Sequence, residues 1–280
     1  MENDYDYDPN EQESVDVDVL ALTVFFSQVT SFSASLSAYV PAYFALIPAA
    51  GVGARMGVSI PKQYLNLAGK SILQHSVDAF LQHPQLRHVV VVVSHDDAYV
   101  AEALQPDPRL TVLFCGGESR VESVRNGLNA MPAHVRVEAR DWILVHDAAR
   151  PGLSQSLITR LIDAVGSEDV GGLLALPVVD TVKFQDEIKL STIPRTGLWL
   201  AQTPQMFRHN LLVDALRTAQ QATVTDEASA VEMMGLVPRL VEGHWANAKI
   251  TVPDDLAMVE TYLAQVADII RPAPLPDEEI

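Results

Sequence analysis

The chain has 280 residues, a formal net charge of −17 and 48% hydrophobic residues. This apolar fraction is typical of a globular protein with a sizeable core. The acidic balance argues against a nucleic-acid partner, because binding a phosphate backbone requires clustered lysine and arginine. A small anionic substrate stays compatible, since a few local cations can dominate a cleft. Cys115 is the single cysteine, which excludes an internal disulfide and predicts a reducing, cytoplasmic location.

The first 42 residues differ in composition from the rest of the chain. Residues 1–18 carry eight acidic side chains and no Lys or Arg, a pattern typical of disorder. Residues 19–54 carry no charge, but the serines that recur and alternate over 31–37 do not suit a helix in lipid. The acidic start also differs from the basic start of a secretory signal. We therefore expect a disordered or loosely ordered extension over 1–42 and no membrane contact, with a membrane anchor as the alternative.

From residue 43 onward, short apolar runs alternate with helical patterns. This alternation predicts an α/β fold, with a mostly parallel twisted sheet covered by helices on both faces. The predicted domain covers 43–270 and is followed by a proline- and acid-rich tail at 271–280. Strands are predicted at 44–48, 88–93, 110–114, 142–145, 172–179 and 239–242. Helices are predicted at 72–82, 99–104, 123–130, 156–165, 211–220, 226–234 and 254–269.

The alternation of strand and helix patterns stops between Asp180 and Trp199. Two short strands are predicted there, at 181–184 and 188–193, around a polar turn. A hairpin this polar does not belong in a core, so we expect a β-arm over 180–199 that projects from the domain. An ordinary surface hairpin is the alternative.

Residues 45–66 read ALIPAAGVGARMGVSIPKQYLN and combine an apolar run, a glycine-rich turn and two cations. Gly51 and Gly53 let the backbone curl tightly and turn its N–H groups toward a bound group. Arg55 and Lys62 supply positive charge suited to a polyphosphate. The spacing excludes the dinucleotide fingerprint, whose third glycine is replaced by Met56, and no P-loop ending closes this turn. A strand–helix junction whose glycines serve only packing is the alternative.

Other candidate motifs follow predicted strands. Gly117 comes after the strand at 110–114, and His146 with Asp147 comes directly after the strand at 142–145. In open α/β sheets, ligands bind beyond the carboxyl ends of the strands. Asp147 is therefore a candidate ligand for Mg²⁺, a hard cation that prefers oxygen, although it could cap the next segment instead. We expect His146 to pack at the strand end rather than to act as an acid or base.

Six stretches, in order, carry a family resemblance over roughly 43–267. They lie at 48–64, 116–120, 145–151, 180–183, 225–230 and 247–251. Together they resemble the signature of the cytidylyltransferases acting on polyol phosphates. More narrowly, they resemble the family acting on 2-C-methyl-D-erythritol 4-phosphate in the non-mevalonate isoprenoid pathway. The resemblance implies a Rossmann-like nucleotidyltransferase fold, CTP and a polyol phosphate as substrates, Mg²⁺ as cofactor, and a homodimer joined through the β-arm.

The resemblance also implies roles for individual residues. Arg55, Lys62 and Lys249 are the expected catalytic residues, and Asp147 is the expected metal ligand. Thr181 and Arg195 are expected to reach the site of a partner subunit. The expected nucleotide-binding residues are Pro48, Ala49, Ala50, Gly51, Gly53, Gly117, Ser123, Asp147 and Ala148. The expected polyol phosphate-binding residues are Asp147, Arg150, Thr181, Arg195, Thr203, Thr225 and Lys249.

The inferred reaction is attack of a phosphate monoester on the α-phosphorus of CTP, with release of pyrophosphate. One alternative is a cytidylyltransferase for ribitol 5-phosphate or for another sugar or polyol phosphate. The Pro-Ala-Ala-Gly turn at 48–51 favours the methylerythritol enzymes. Another alternative is a nucleotide-binding regulator without catalysis, against which the set of Arg55, Lys62, Asp147 and Lys249 argues.

We expect removal of residues 1–40 to leave turnover and thermal stability nearly unchanged. The acidic and serine-rich sequence shows no helical face that would pack on the domain. The measurement compares kcat and melting temperature for the full chain and for a chain that begins at Pro41. Aggregation of the shorter chain, or a large loss of turnover, would contradict this expectation.

Overall fold

The structure is a computed structural model. It describes residues 39–51, 60–186, 188–218 and 224–270. All described helices and strands belong to the unit formed by residues 41–280. The predicted extension at 1–42 lies mostly outside the described residues and the tail at 271–280 wholly outside them, so these domain bounds stay predictions.

A seven-stranded mixed sheet organises the domain, and two short two-stranded sheets accompany it. In chain order the strands are β1 (Tyr43–Pro48), β2 (Asn66–Leu67), β3 (Lys70–Ser71), β4 (Leu86–Val92), β5 (Leu110–Leu113), β6 (Trp142–Val145), β7 (Gly171–Pro177), β8 (Val182–Gln185), β9 (Leu190–Ile193), β10 (Trp199–Arg208) and β11 (Arg239–Glu242). The α-helices are α1 (Ile72–Leu81), α2 (Val100–Ala103), α3 (Arg120–Val135), α4 (Gln155–Val165), α5 (His209–Thr218), α6 (Glu227–Glu232) and α7 (Pro253–Ile270). Short 3₁₀ turns lie at Lys62–Tyr64 and Trp245–Asn247.

The strand order in the large sheet is β11-β7-β10-β6-β1-β4-β5. Strand β1 pairs in parallel with both β4 and β6, and β4 pairs in parallel with β5. Strand β10 runs antiparallel between β6 and β7, while β11 is parallel to β7. The sheet is therefore mostly parallel, which confirms the predicted fold class.

Both faces of the central strands are buried, which explains their continuous apolar sequences. Alternate residues of β1 point to opposite faces. Ala45 and Ile47 belong to a core shared with α1 and α4, whereas Phe44 and Leu46 belong to a core shared with α3 and α5. Helices therefore cover the sheet on both faces, as predicted.

Helix α3 is longer than predicted at both ends. It begins at Arg120 because the Ser119 hydroxyl caps it, accepting a hydrogen bond of 3.1 Å from the backbone N–H of Glu122. It also continues past Pro132, which cannot donate to the carbonyl of Leu128. The ring nitrogen Nε2 of His209 donates to that carbonyl instead, at 3.0 Å. Helices α2 and α6 are shorter than predicted.

The sequence analysis missed β10. This strand contains Gln202, Thr203 and Gln205 at buried positions, and Pro204 lies between them. Such a sequence argues against a central strand, because proline cannot donate to the ladder. The pairing with β7 is interrupted between Ala201 and Gln205, and this irregularity accommodates the proline.

The predicted hairpin of the β-arm is present as β8 and β9, which pair antiparallel. The Asp186 side chain forms the turn by accepting hydrogen bonds from the backbone N–H groups of Ile188 and Lys189, at 2.8 and 2.7 Å. Among the residues that the structure describes, no helix is long and apolar enough to cross a membrane.

Candidate active site

The carboxyl ends of β1, β4, β5 and β6 open onto a cleft of about 610 Å³. The strands are parallel here, so the loops that follow them meet at one edge of the sheet. The described residues that line the cleft are Pro48, Ala49, Ala50, Gly51, Lys62, Gln63, Ser94, His95, Asp96, Gly116, Gly117, Glu118, Ser119, Arg120, Ser123, Asp147, Ala148, Ala149 and Lys249.

One wall of the cleft is formed by residues 48–51, at the end of β1 and directly after it. The buried Gln63 side chain donates hydrogen bonds to the carbonyls of Ala49 and Gly51, at 2.7 and 3.0 Å. These bonds fasten the 3₁₀ turn at Lys62–Tyr64 to the glycine turn, and so set Lys62 beside the cleft. The Lys62 ammonium donates to the backbone carbonyl of Ile250 at 2.8 Å.

The opposite wall is formed by the loop after β5 and the start of α3. The backbone N–H of Gly117 donates to the Ser123 hydroxyl at 3.1 Å, and that hydroxyl donates to the Ser119 carbonyl at 2.9 Å. A side chain at Gly117 would overlap the Glu122 side chain. The close approach of the loop to α3 therefore requires glycine at this position.

Asp147 lies at the floor of the cleft, directly after β6, and is 7% exposed. Its Oδ1 accepts a hydrogen bond of 2.7 Å from Nε of Arg120. Its Oδ2 lies 2.9 Å from the Lys249 ammonium and 3.4 Å from Nε of Arg150. Its backbone N–H donates to the Thr203 hydroxyl at 3.1 Å. Cations from three separate parts of the chain thus converge on one carboxylate.

Burial and the neighbouring cations shift the pKa of Asp147 in opposite directions. Burial by itself would raise the pKa of this carboxyl, but Arg120, Lys249 and Arg150 outweigh it and hold the pKa well below its ordinary value. The neighbouring His146 is fully buried, and burial lowers its pKa to about 4. Its ring nitrogens contact the Thr203 hydroxyl at 2.9 Å and the Arg150 carbonyl at 3.1 Å. His146 is therefore neutral at pH 7 and packs in the interior, as predicted.

Arg120 also contacts a second carboxylate behind the cleft. Its two terminal nitrogens donate to the two oxygens of Glu227, at 2.7 and 3.0 Å. Burial would lower the pKa of Arg120, but Glu227 and Asp147 together raise it, so the guanidinium stays charged.

The segment that carries Lys249 packs on the loop after β6. The backbone N–H of Ile250 donates to the Ala149 carbonyl at 2.9 Å. Arg150 donates to the Asn247 carbonyl at 2.8 Å, and the Asn247 amide donates to the Thr203 carbonyl at 2.7 Å. A Cβ on Gly152 would overlap the carbonyl oxygen of Ala246, so this approach depends on glycine.

Comparison with known proteins identifies the family. Residues 43–265 match the family described as 2-C-methyl-D-erythritol 4-phosphate cytidylyltransferase. An enzyme of that name from Nitrosospira multiformis is 48% identical over 225 residues, 79% of this chain and 97% of the relative. One from Bordetella parapertussis is 51% identical over 225 residues, 78% of this chain and 97% of the relative.

The chain belongs to the 2-C-methyl-D-erythritol 4-phosphate cytidylyltransferase family. Solved structures of related proteins agree. A crystal structure of 4-diphosphocytidyl-2C-methyl-D-erythritol synthase is 39% identical with a TM-score of 0.72, covering 80% of this chain and 100% of that one. The 2-C-methyl-D-erythritol 4-phosphate cytidylyltransferase of Francisella tularensis is 36% identical with a TM-score of 0.67, covering 79% and 99%.

Most residues expected from the family signature meet at the cleft. Arg150 and Thr203 lie beside it, through their contacts with Asp147. Gly53 and Arg55 lie outside the described residues. The expected residues that line the cleft are Pro48, Ala49, Ala50, Gly51, Lys62, Gly117, Ser123, Asp147, Ala148 and Lys249.

Three of the expected residues do not line the cleft. Thr225 is exposed at the start of α6 and lines a separate cavity of about 490 Å³ with Trp199. Thr181 and Arg195 are exposed on the β-arm, and the Arg195 guanidinium contacts the carbonyl of Val179, the residue just before the arm. Their roles in the family site stay predictions.

The sequence analysis did not single out Arg120, Glu227 or Gln63. Arg120 and Glu227 lie 107 positions apart, so no local pattern connects them. Two features of the sequence could have indicated this contact. Arg120 and Glu227 both fall within family motifs, at 116–120 and 225–230, and their charges are opposite. Gln63 lies within the expected Pro-Lys-Gln-Tyr stretch, but its role depends on backbone carbonyls that the sequence does not reveal.

We expect Gly152→Ala to lower kcat by about 10²-fold, because a displacement of about 1 Å in this segment would misplace Lys249, one of the residues expected to be catalytic. The measurement is steady-state turnover together with the melting temperature. The matched control is Gly166→Ala, where the added Cβ would lie 2.7 Å from the Ile162 carbonyl oxygen, at the end of α4 next to Tyr43. The control should lose stability but keep kcat. Equal kcat in both variants would contradict the expected role of Gly152.

Proposed function

We propose that the protein transfers the cytidylyl group of CTP to 2-C-methyl-D-erythritol 4-phosphate. An oxygen of the substrate phosphate attacks the α-phosphorus, the bond to the β-phosphate oxygen breaks, and pyrophosphate leaves. The products are 4-diphosphocytidyl-2-C-methyl-D-erythritol and pyrophosphate. The observation that carries the proposal is the cation-lined cleft at the carboxyl edge of the sheet, in a chain of this family.

Charge at the cleft suits two polyanionic substrates. Arg120, Arg150 and Lys249 converge on Asp147 at the cleft floor, and Lys62 lies on the neighbouring wall, whereas the acidic Asp96 and Glu118 line the cleft after β4 and β5. Attack on phosphorus adds negative charge to the equatorial oxygens, and preorganised cations stabilise that charge. Lys62, Lys249 and Arg55 are the proposed catalytic residues.

The reaction needs no general base from the protein. A phosphate monoester is largely ionised at pH 7, because its second pKa is about 6. The histidine closest to Asp147, His146, is buried and neutral with both ring nitrogens engaged. Positioning and charge stabilisation are therefore the main contributions of the protein.

The nucleotide is proposed to lie along the glycine turn. Small residues at Ala49, Ala50 and Gly51 leave room for a base to approach the backbone, and Gly117 and Ser123 face them across the cleft. Pro48 and Ala148 complete this nucleotide-binding set. The polyol phosphate is proposed to lie beside Asp147, in reach of Arg150, Thr203 and Lys249. Thr225 was also expected to bind it but lines a separate cavity.

The residues present fit a magnesium ion held mainly by substrate. Mg²⁺ in nucleotide sites is bound by one or two carboxylates and by phosphate oxygens and water. Asp147 supplies one such carboxylate on the cleft floor, and Mg²⁺ would share its oxygens with Arg120, Arg150 and Lys249. Bound there, Mg²⁺ would neutralise part of the triphosphate charge.

We also propose a cytoplasmic homodimer joined through the β-arm. Several apolar side chains of the arm are exposed, including Phe184, Ile188 and Leu190. Exposed apolar patches of this kind mark interaction surfaces. The arm also carries Thr181 and Arg195, which would then serve the site of the partner subunit. The cytoplasmic location follows from the single cysteine.

The proposed activity is tested by measuring pyrophosphate release with CTP, UTP, ATP and GTP, each combined with several polyol phosphates. We expect turnover with CTP and 2-C-methyl-D-erythritol 4-phosphate, and at least ~10²-fold lower kcat/KM for the other pairs. The family match argues against ribitol 5-phosphate as the substrate. Preference for ribitol 5-phosphate, or for another nucleotide, would overturn the proposal.

We expect Lys62→Ala to lower kcat by at least ~10²-fold with the fold intact, because it removes one preorganised charge from the transition state. The matched control is Lys70→Ala, which removes a lysine that pairs with Asp78 outside the cleft, at 2.5 Å. Turnover of the control should stay within about twofold, since exposed ion pairs contribute little. A similar kcat for both variants would remove Lys62 from the mechanism.

The shared-site arrangement is tested by mixing the inactive variants Arg195→Ala and Lys62→Ala under conditions of subunit exchange. If the arm crosses over, each mixed dimer holds one intact site and one site with both defects. A one-to-one mixture should then recover about a quarter of wild-type activity, because half of the randomly formed dimers are mixed. No recovery, after exchange has been demonstrated by mass spectrometry of tagged subunits, would mean that Arg195 serves its own subunit.

A further inference from the structure

A fully buried carboxylate lies behind the proposed active site. Glu227 is 0% exposed and is absent from the described residues that line the cleft. Both of its oxygens accept hydrogen bonds from the terminal nitrogens of Arg120, at 2.7 and 3.0 Å. This bidentate contact fixes the plane of the guanidinium as well as its position.

The same guanidinium faces the cleft on its other side. Its remaining nitrogen, Nε, donates to Oδ1 of Asp147 at 2.7 Å. Since a guanidinium is rigid and planar, orienting its terminal nitrogens also orients Nε. Glu227 and Oδ1 of Asp147 therefore contact different nitrogens of the same rigid guanidinium.

Glu227 itself is held independently of Arg120. It is the first residue of α6, which Asp226 caps by accepting a hydrogen bond of 2.9 Å from the N–H of Ser229. The buried Gln205 of β10 holds this helix start from below, donating to Asp226 at 2.8 Å and accepting from the N–H of Ala228 at 2.7 Å. Strand β10 therefore fixes the position of Glu227, and Glu227 in turn holds the Arg120 guanidinium beside the cleft.

Stability does not account for this buried pair. Removing two charges from water is costly, and apolar pairs of similar volume are often as stabilising or more so. Asp147 also does not need Arg120 for neutralisation, because Lys249 and Arg150 contact its other oxygen. Glu227 compensates the charge of Arg120, so the contact of Arg120 with Asp147 orients the carboxylate in addition to pairing its charge.

We propose that Glu227 is a positioning residue for Asp147, acting through the Arg120 guanidinium. The inference rests on the proposed function, since it assigns Glu227 a part in cytidylyl transfer. The competing explanation is that the pair only joins α6 to α3. That role would affect folding stability and would leave the turnover of the folded enzyme unchanged.

The first test is Glu227→Gln, which keeps the side-chain shape and removes the charge and one acceptor. We expect kcat to fall by at least ~10-fold, because Asp147 loses its fixed position. The KM for 2-C-methyl-D-erythritol 4-phosphate, which is proposed to lie beside Asp147, should rise as well, and unfolding should stay cooperative. The matched control is Glu168→Gln, which breaks a half-exposed contact of 2.6 Å with Arg239. Its kcat should stay within about twofold.

The second test is the double variant Arg120→Met/Glu227→Met, which replaces the pair with apolar side chains. We expect a melting temperature at or above that of wild type, together with a kcat at least as low as that of Glu227→Gln. This variant decides the question if Glu227→Gln fails to fold. A kcat within about twofold of wild type in either folded variant would overturn the positioning role.

A third variant, Arg120→Met, shows whether Glu227 acts through the guanidinium. In that background, adding Glu227→Gln should change kcat by less than ~3-fold, since the intermediary is already absent. Independent, multiplicative losses would overturn the relay. Failure of the wild-type enzyme to turn over CTP and 2-C-methyl-D-erythritol 4-phosphate would contradict the proposed function itself. Normal wild-type turnover with an unaffected Glu227→Gln variant would contradict only the inference.

Discussion

The carboxylate of Asp147 and the cations around it are the interaction on which the site depends. A buried carboxylate without partners would cost several kcal/mol, so its cations are fixed parts of the folded domain. Arg120 comes from the start of α3, Arg150 from the loop after β6, and Lys249 from the segment before α7. One carboxylate therefore joins three stretches that are distant in sequence. Backbone features let these stretches come close together. The Ser119 cap begins α3 at Arg120, and Gly152 leaves room for the carbonyl oxygen of Ala246.

Strand β10 assembles the polar interior behind this cluster. Thr203 accepts from the backbone of Asp147, Gln205 holds the start of α6, and Gln202 donates to the His244 carbonyl at 3.0 Å. Each side chain thus connects the sheet to a different part of the site. A purely apolar strand at this position would pack equally well in the sheet, but it would leave the polar groups of these segments without partners.

Burial determines which strands and which site residues could be predicted from the sequence. Strands β1, β4 and β6 are buried on both faces, so they read as apolar runs and were predicted within two residues of their bounds. Strand β10 was missed because its residues satisfy neighbouring segments and because Pro204 interrupts the ladder. The same distinction holds for the site. Lys62, Asp147 and Lys249 lie in local motifs, whereas the contact between Arg120 and Glu227 exists only after α3 and α6 have packed together.

The carboxylates also explain how an acidic protein can keep a cationic cleft. The net charge of −17 disfavours polyanions at long range, but this field is screened beyond about 8 Å at physiological ionic strength. The local arrangement therefore decides binding. Arg120, Arg150 and Lys249 would repel one another, and Asp147 and Glu227 hold them together. In the proposed reaction, substrate phosphates share this role with Asp147, so the cations need little reorganisation when negative charge develops at phosphorus. The side chains that hold this cluster together thus also prepare the cleft for the proposed transition state.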